Sequence, residues 1–70
     1  MDPISIGARI RALRGTESQQ TLADKLEISK SALAMYERGE RIPRDEVKIR
    51  IAQHFNVSLE SIFFAPSEHK

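Results

Sequence analysis

An all-α fold, a compact bundle of five short helices, is what this 70-residue chain predicts, and three observations carry the prediction. Apolar residues recur at every third or fourth position along most of the chain, which is the helical period. No segment alternates apolar and polar residues with a period of two, as a half-buried strand does. Ser18, Ser29, Ser58, Gly15, Gly39 and Asn56 fall at the edges of the apolar runs, where helix caps belong.

In the first helix, from about Ile4 to Arg14, Ile6, Ile10 and Leu13 recur on one face and Gly15 closes the run. Ser18 caps a short second helix with Leu22, Ala23 and Leu26 on its apolar side. Ser29 opens a third, SKSALAMYERG, whose Leu33 and Tyr36 face inward and which ends at Gly39. Pro43 interrupts the following loop and biases Ile42 toward an extended backbone. Val47, Ile51 and Phe55, with Ala52 beside them, define a fourth helix from about Arg44 to Phe55. Asn56 suits a left-handed cap, Ser58 caps once more, and Leu59 with Ile62 gives a brief fifth helix. Leu22, Leu26, Leu33, Val47, Ile51, Phe55 and Ile62 read as core.

One domain, residues 1–64, is expected, followed by a flexible tail, residues 65–70, whose APSEHK sequence offers nothing to pack. At this size a hydrophobic core is barely sufficient alone, so association with a second copy is expected. There is no cysteine and only two histidines, His54 and His69, so neither disulfides nor a structural zinc site is expected, and no cofactor is implied. His54 has no carboxylate or second histidine at a spacing suited to catalysis, and an enzyme reading finds no support. The amino-terminal MDPISIGARIRALR lacks the apolar run of a signal peptide, and no stretch is long enough to cross a bilayer; a soluble, cytoplasmic protein with no membrane partner is the expectation. The formal net charge is only +1, so any polyanion partner must be met by local clusters: Arg9, Arg11 and Arg14 early, and Arg38, Arg41, Arg44, Lys48 and Arg50 in the middle.

Two short helices joined by a tight turn, the second opened by a serine, fit a helix-turn-helix, although many small bundles contain a similar corner. Further residues are more specific. QQTLADKLEISKSALAMYERG resembles the pattern of Cro and CI-type phage repressors and the broader xenobiotic-response-element regulators. Gln19, Leu22, Ala23, Ile28, Ser29, Leu33, Tyr36, Glu37 and Gly39 match it, and IPRDEVKIRIAQHFNVSLESIF is similar to the same family's fourth and fifth helices. The likeness runs from about residue 6 to residue 63.

The resemblance implies a lambda-repressor-like domain that binds double-stranded DNA, acting as a repressor on a palindromic operator as a homodimer, in a bacterial or phage-encoded setting close to the nucleoid. Lys30, Ser31, Ala34 and Met35 take the positions that point from the third helix toward base edges. Gln19 and Ser29, at helix starts, take positions that meet the phosphate backbone, and Arg41 and Arg44, in the loop after the third helix, take positions that reach the phosphate backbone or a minor groove. Arg14 and Glu37 match a pair that forms a structural salt bridge in the family. Three departures stand out: Glu27 occupies the turn position where the family has glycine, the Arg14–Gln19 connection is about two residues shorter than usual, and Asp45 and Lys48 replace apolar residues of the fourth helix.

Ile62, Phe63 and Phe64 form an aromatic end in a chain with few aromatics and are candidates for a dimer contact, with core filling as the alternative for either phenylalanine. A different class of function also fits: a protein-interaction module, antitoxin-like or an anti-repressor partner, favoured by the low net charge and by the apolar Ala34 and Met35. No small-molecule effector domain is evident.

Overall fold

Asp2 and Pro3 start the first helix one residue earlier than the apolar pattern alone suggests. In the computed structural model, which describes residues 1–65, α1 spans Pro3–Arg14. The Asp2 carboxylate accepts the Ile4 backbone N–H at 3.1 Å and the Ser5 hydroxyl at 2.7 Å, while Pro3 occupies the first turn, where its missing N–H costs nothing. The helix ends at Gly15, whose φ of 61° and ψ of −127° suit glycine.

Helix α2 (Gln19–Leu26) follows from Ser18, whose Oγ accepts the Thr21 N–H at 3.1 Å, and α3 (Lys30–Glu37) from Ser29, whose Oγ accepts the Ala32 N–H at 3.0 Å. Helix α4 (Asp45–Phe55) begins without a side-chain cap, but Asp45 and Glu46 place negative charge at its positive end. A single π-helical turn, α5 (Glu60–Phe64), completes the described chain; Ser58 Oγ accepts the Ser61 N–H at 3.1 Å. No strand occurs among the described residues. Of the expected tail, residues 65–70, only Ala65 lies among the described residues.

Helices α2, α3 and α4 close in the same way. A residue with positive φ follows each: Glu27 at 60°, Gly39 at 75° and Asn56 at 55°. The next residue's N–H then reaches back to a carbonyl five positions earlier: Ile28 to Ala23, Glu40 to Met35 and Val57 to Ala52, each at 3.0 Å. The turn between α2 and α3 is therefore only Glu27, Ile28 and Ser29 long, and the Glu27 and Ile28 N–H groups both donate back into α2.

Ile6, Ile10, Leu22, Leu26, Leu33, Tyr36, Val47, Ile51, Ile62 and Phe63 meet in one core, with Phe55 partly buried at its edge. Gly7 sits where α1 crosses the end of α3; a Cβ there would overlap the Tyr36 and Glu37 carbonyl oxygens, lying 2.5 Å from the latter. Lys48, at a position that is apolar in the family pattern, is accommodated by burying its stem beneath the aromatic end. Its Nζ lies 5.8 Å from the Phe63 ring centre and 5.7 Å from that of Phe64, with Asp45 at 3.4 Å.

Candidate nucleic-acid interface

Helix α3 is split lengthwise. Leu33 and Tyr36 are buried, while Lys30 and Ser31 are exposed and Ala34 and Met35 are partly exposed. The four residues that the resemblance assigns to base reading therefore share the outward side, and the helix is anchored by the opposite one. Arg38 belongs with them. Seven residues beyond Ser31, it projects within about 20° of the same direction, and its own backbone is still helical, at φ −83° and ψ −4°. Its place on this face escaped the sequence reading, although a count of seven from Ser31 finds it.

The orientation of α3 is fixed by one carboxylate. Glu37, with a side chain only 4% exposed, accepts from Arg14 Nε at 2.7 Å, Arg14 Nη2 at 3.0 Å and Gln19 Nε2 at 3.0 Å. Arg14 also donates from Nη1 to the Glu17 carbonyl at 2.7 Å. One buried group thus ties the end of α1, the start of α2 and the end of α3 together, and the hydrogen bond to Glu37 holds the Arg14 guanidinium above its ordinary value. Gln19 stands at the start of α2, and one of its amide hydrogens is engaged with Glu37, so only the remainder of that group is open to a ligand.

The bases that looked like two clusters along the chain divide differently in space. Arg9 donates to the Ile62 carbonyl at 2.8 Å, Arg50 to the Leu26 carbonyl at 3.3 Å, and Arg14 to Glu37; these three brace the fold. Lys30, Arg38, Arg41 and Arg44 are exposed around α3. Arg41 and Arg44 border an open cleft of about 260 Å³ that also takes in Ser29, Tyr36 and Arg50, beside the start of α3. The Ser29 hydroxyl caps α3 as an acceptor and keeps its own hydrogen to donate.

The aromatic end corrects an expectation. Ile62 and Phe63 are each 1% exposed, packed in the core, so neither offers a surface for a dimer contact. A core this small needs both, and α5 is pulled onto α1 by the Arg9 hydrogen bond to Ile62. Only Phe64, at 58% exposed, faces outward. It shares a shallow groove of about 290 Å³ with Asp45, Lys48, Ile49 and Leu59, and Ile49 is itself 45% exposed. Ile49 was not singled out in the sequence, because its place on α4 reads as an ordinary surface position.

Two capped helices in a rigid corner, the second with one face buried and the other clear, define a helix-turn-helix domain. The helix-turn-helix family pattern matches residues 10–62, and the chain belongs to that family, the Cro and CI-type regulators of the xenobiotic-response-element class. It is a DNA-binding regulator of transcription. No curated protein and no solved structure matches the chain. No helix among the described residues is long and apolar enough to cross a membrane.

Proposed function

We propose that the protein is a cytoplasmic transcriptional repressor that binds a palindromic operator as a homodimer, residues 1–64 forming the binding unit. The observation that carries this reading is the exposed side of α3, held in fixed orientation by the Arg14–Glu37–Gln19 cluster. Preorganised side chains recognise base edges with little entropic loss on binding.

In this reading α3 enters the major groove. Lys30 donates to guanine O6 or N7, Ser31 serves either kind of base, and Ala34 and Met35 meet thymine methyl groups. Ser29, Arg41, Arg44 and the unengaged part of Gln19 contact phosphates, which fixes register without reading sequence. Two copies present two recognition helices about 34 Å apart, one turn of B-DNA, and bound protein excludes polymerase. The copies meet through Phe64 and Ile49, the two large apolar side chains exposed at the groove on α4 and α5.

The test is selection from a randomised duplex pool at about 0.15 M salt, a concentration at which purely ionic binding is weak, with wild type and Lys30→Ala in parallel. A palindromic consensus that blurs at one symmetric position in the variant is expected, at about 1–3 kcal/mol per lost base contact. Equal losses on selected and random duplex would remove Lys30 from base reading. No enrichment by the wild type would favour a protein partner for the apolar Ala34–Met35 stretch instead.

A further inference from the structure

Among the exposed bases around α3, one differs. Lys30, Arg41 and Arg44 form no ion pair among the described residues, whereas Arg38 is held by Glu40: Nε to Oε2 at 2.6 Å and Nη2 to Oε1 at 3.3 Å. The geometry is built by the chain. Gly39, at φ 75°, reverses the backbone between the two residues, and the Glu40 N–H donates to the Met35 carbonyl at 3.0 Å, which sets the carboxylate over the end of α3.

We propose that Glu40 masks Arg38 against DNA phosphate, so that this pair lowers the protein's affinity for DNA of any sequence. The inference rests on α3 lying in the major groove. Arg38 projects in the same direction as Ser31 and lies about 10.5 Å further along the axis, at 1.5 Å per residue. The groove is about 12 Å wide, so with Ser31 among the bases Arg38 arrives at the phosphates of the groove wall. A phosphate offers a guanidinium the same paired oxygen acceptors that the carboxylate offers. Glu40 is thus an intramolecular stand-in for the ligand of Arg38.

The two side chains are 58% and 53% exposed, and an exposed ion pair is worth little to folding, so substituting either partner leaves the fold intact. The cost falls on binding: Glu40 must leave Arg38 and then sit, negatively charged, near the phosphates. The Arg38 hydrogen bond holds the Glu40 carboxyl below its usual range, so it stays ionised at neutral and weakly acid pH.

The experiment is fluorescence anisotropy of a 20-base-pair mixed-sequence duplex titrated with wild type, Glu40→Gln, Arg38→Ala and the double variant, across about 0.05–0.2 M salt, where phosphate contacts are read from the slope. Glu40→Gln is expected to bind about three- to tenfold tighter, with a log–log salt slope steeper by about 0.9, one further phosphate neutralised. In the Arg38→Ala background most of that gain is lost, so the double variant binds only slightly tighter than Arg38→Ala, by the repulsion of one exposed carboxylate. An unchanged slope in Glu40→Gln, or its full gain surviving in the double variant, overturns the mask. A wild type that holds no duplex at any of these salt concentrations overturns the DNA-binding reading, and the mask with it.

Discussion

Glu27 is the residue whose conformation and chemistry disagree. It adopts φ 60° and ψ 41°, left-handed helical geometry, because the three-residue turn into Ser29 needs a chain reversal there and the Ile28 N–H is committed to Ala23. A side chain with a Cβ carries about 1–2 kcal/mol of strain in this region. Glycine would relieve it but would also gain freedom in the unfolded chain, worth about 0.4–1 kcal/mol in the opposite direction. Strain is the larger effect, so Glu27→Gly is expected to raise unfolding stability by about 0.5–1 kcal/mol, read as a higher urea midpoint at unchanged slope. A lower midpoint would mean that the turn holds Glu27 without strain. The same turn marks how far single residues were legible. Positions where chemistry dictates geometry, such as the serine caps and Asn56, could be read directly from the sequence. Arg9 and Arg50 could not be told from Arg38, Arg41 and Arg44, because a guanidinium that braces a carbonyl and one that faces solvent have identical sequence signatures, whereas Arg14 stood apart through its pairing with Glu37.

Between elements, the contact that matters most is made where a side chain is absent. Gly7 lets α1 press against the last carbonyls of α3, the same end that Arg14 of α1 grips through Glu37. In an open helix interior, replacing glycine with alanine gains about 1 kcal/mol of helix propensity. Here the new Cβ would overlap backbone oxygens, which cannot turn aside as a flexible side chain can, and overpacking costs about 1–3 kcal/mol. Gly7→Ala is therefore expected to destabilise the domain by up to about 2 kcal/mol net, a large share of the 4–10 kcal/mol on the order of which a domain this size is stable. Thermal unfolding followed by circular dichroism reads this directly, and a raised midpoint would mean that α1 moves away from α3 at no cost. Helix order and the ends of α2, α3 and α4 were legible because caps and periodicity act locally. Gly7 was not, since close packing of two helices depends on their crossing point, which no single segment encodes. The π-helical form of α5 was hidden for a similar reason: it arises as Ile62 and Phe63 both turn into the core.

At the scale of the whole molecule, a chain this short has enough apolar residues for one small core and leaves a few large ones outside. Five stay exposed among the described residues: Met1, Ile4, Ile42, Ile49 and Phe64. Ile49 and Phe64 share one groove, with the carboxylate of Asp45 and the ammonium of Lys48 beside them. A two-fold interface must match itself, and a patch carrying both an anion and a cation around apolar anchors meets that requirement. The surface left outside on Phe64, roughly 100 Å², corresponds to about 2–3 kcal/mol if a partner covers it. Because each copy contributes one such ring, the dimer as a whole gains about 5 kcal/mol, more than a thousandfold in its dissociation constant. Phe64→Ser is accordingly expected to sediment as a monomer at concentrations where the wild type is a dimer. Its fold should persist, because Phe63 fills the core and Phe64 does not. On a palindromic duplex the variant should then occupy the two half-sites one at a time, with each half-site still read by α3, whereas the wild type occupies both together. A Phe64→Ser protein that remains a dimer of undiminished affinity would place the contact on another face, and Ile4 on α1, at 62% exposed, would be the next to substitute.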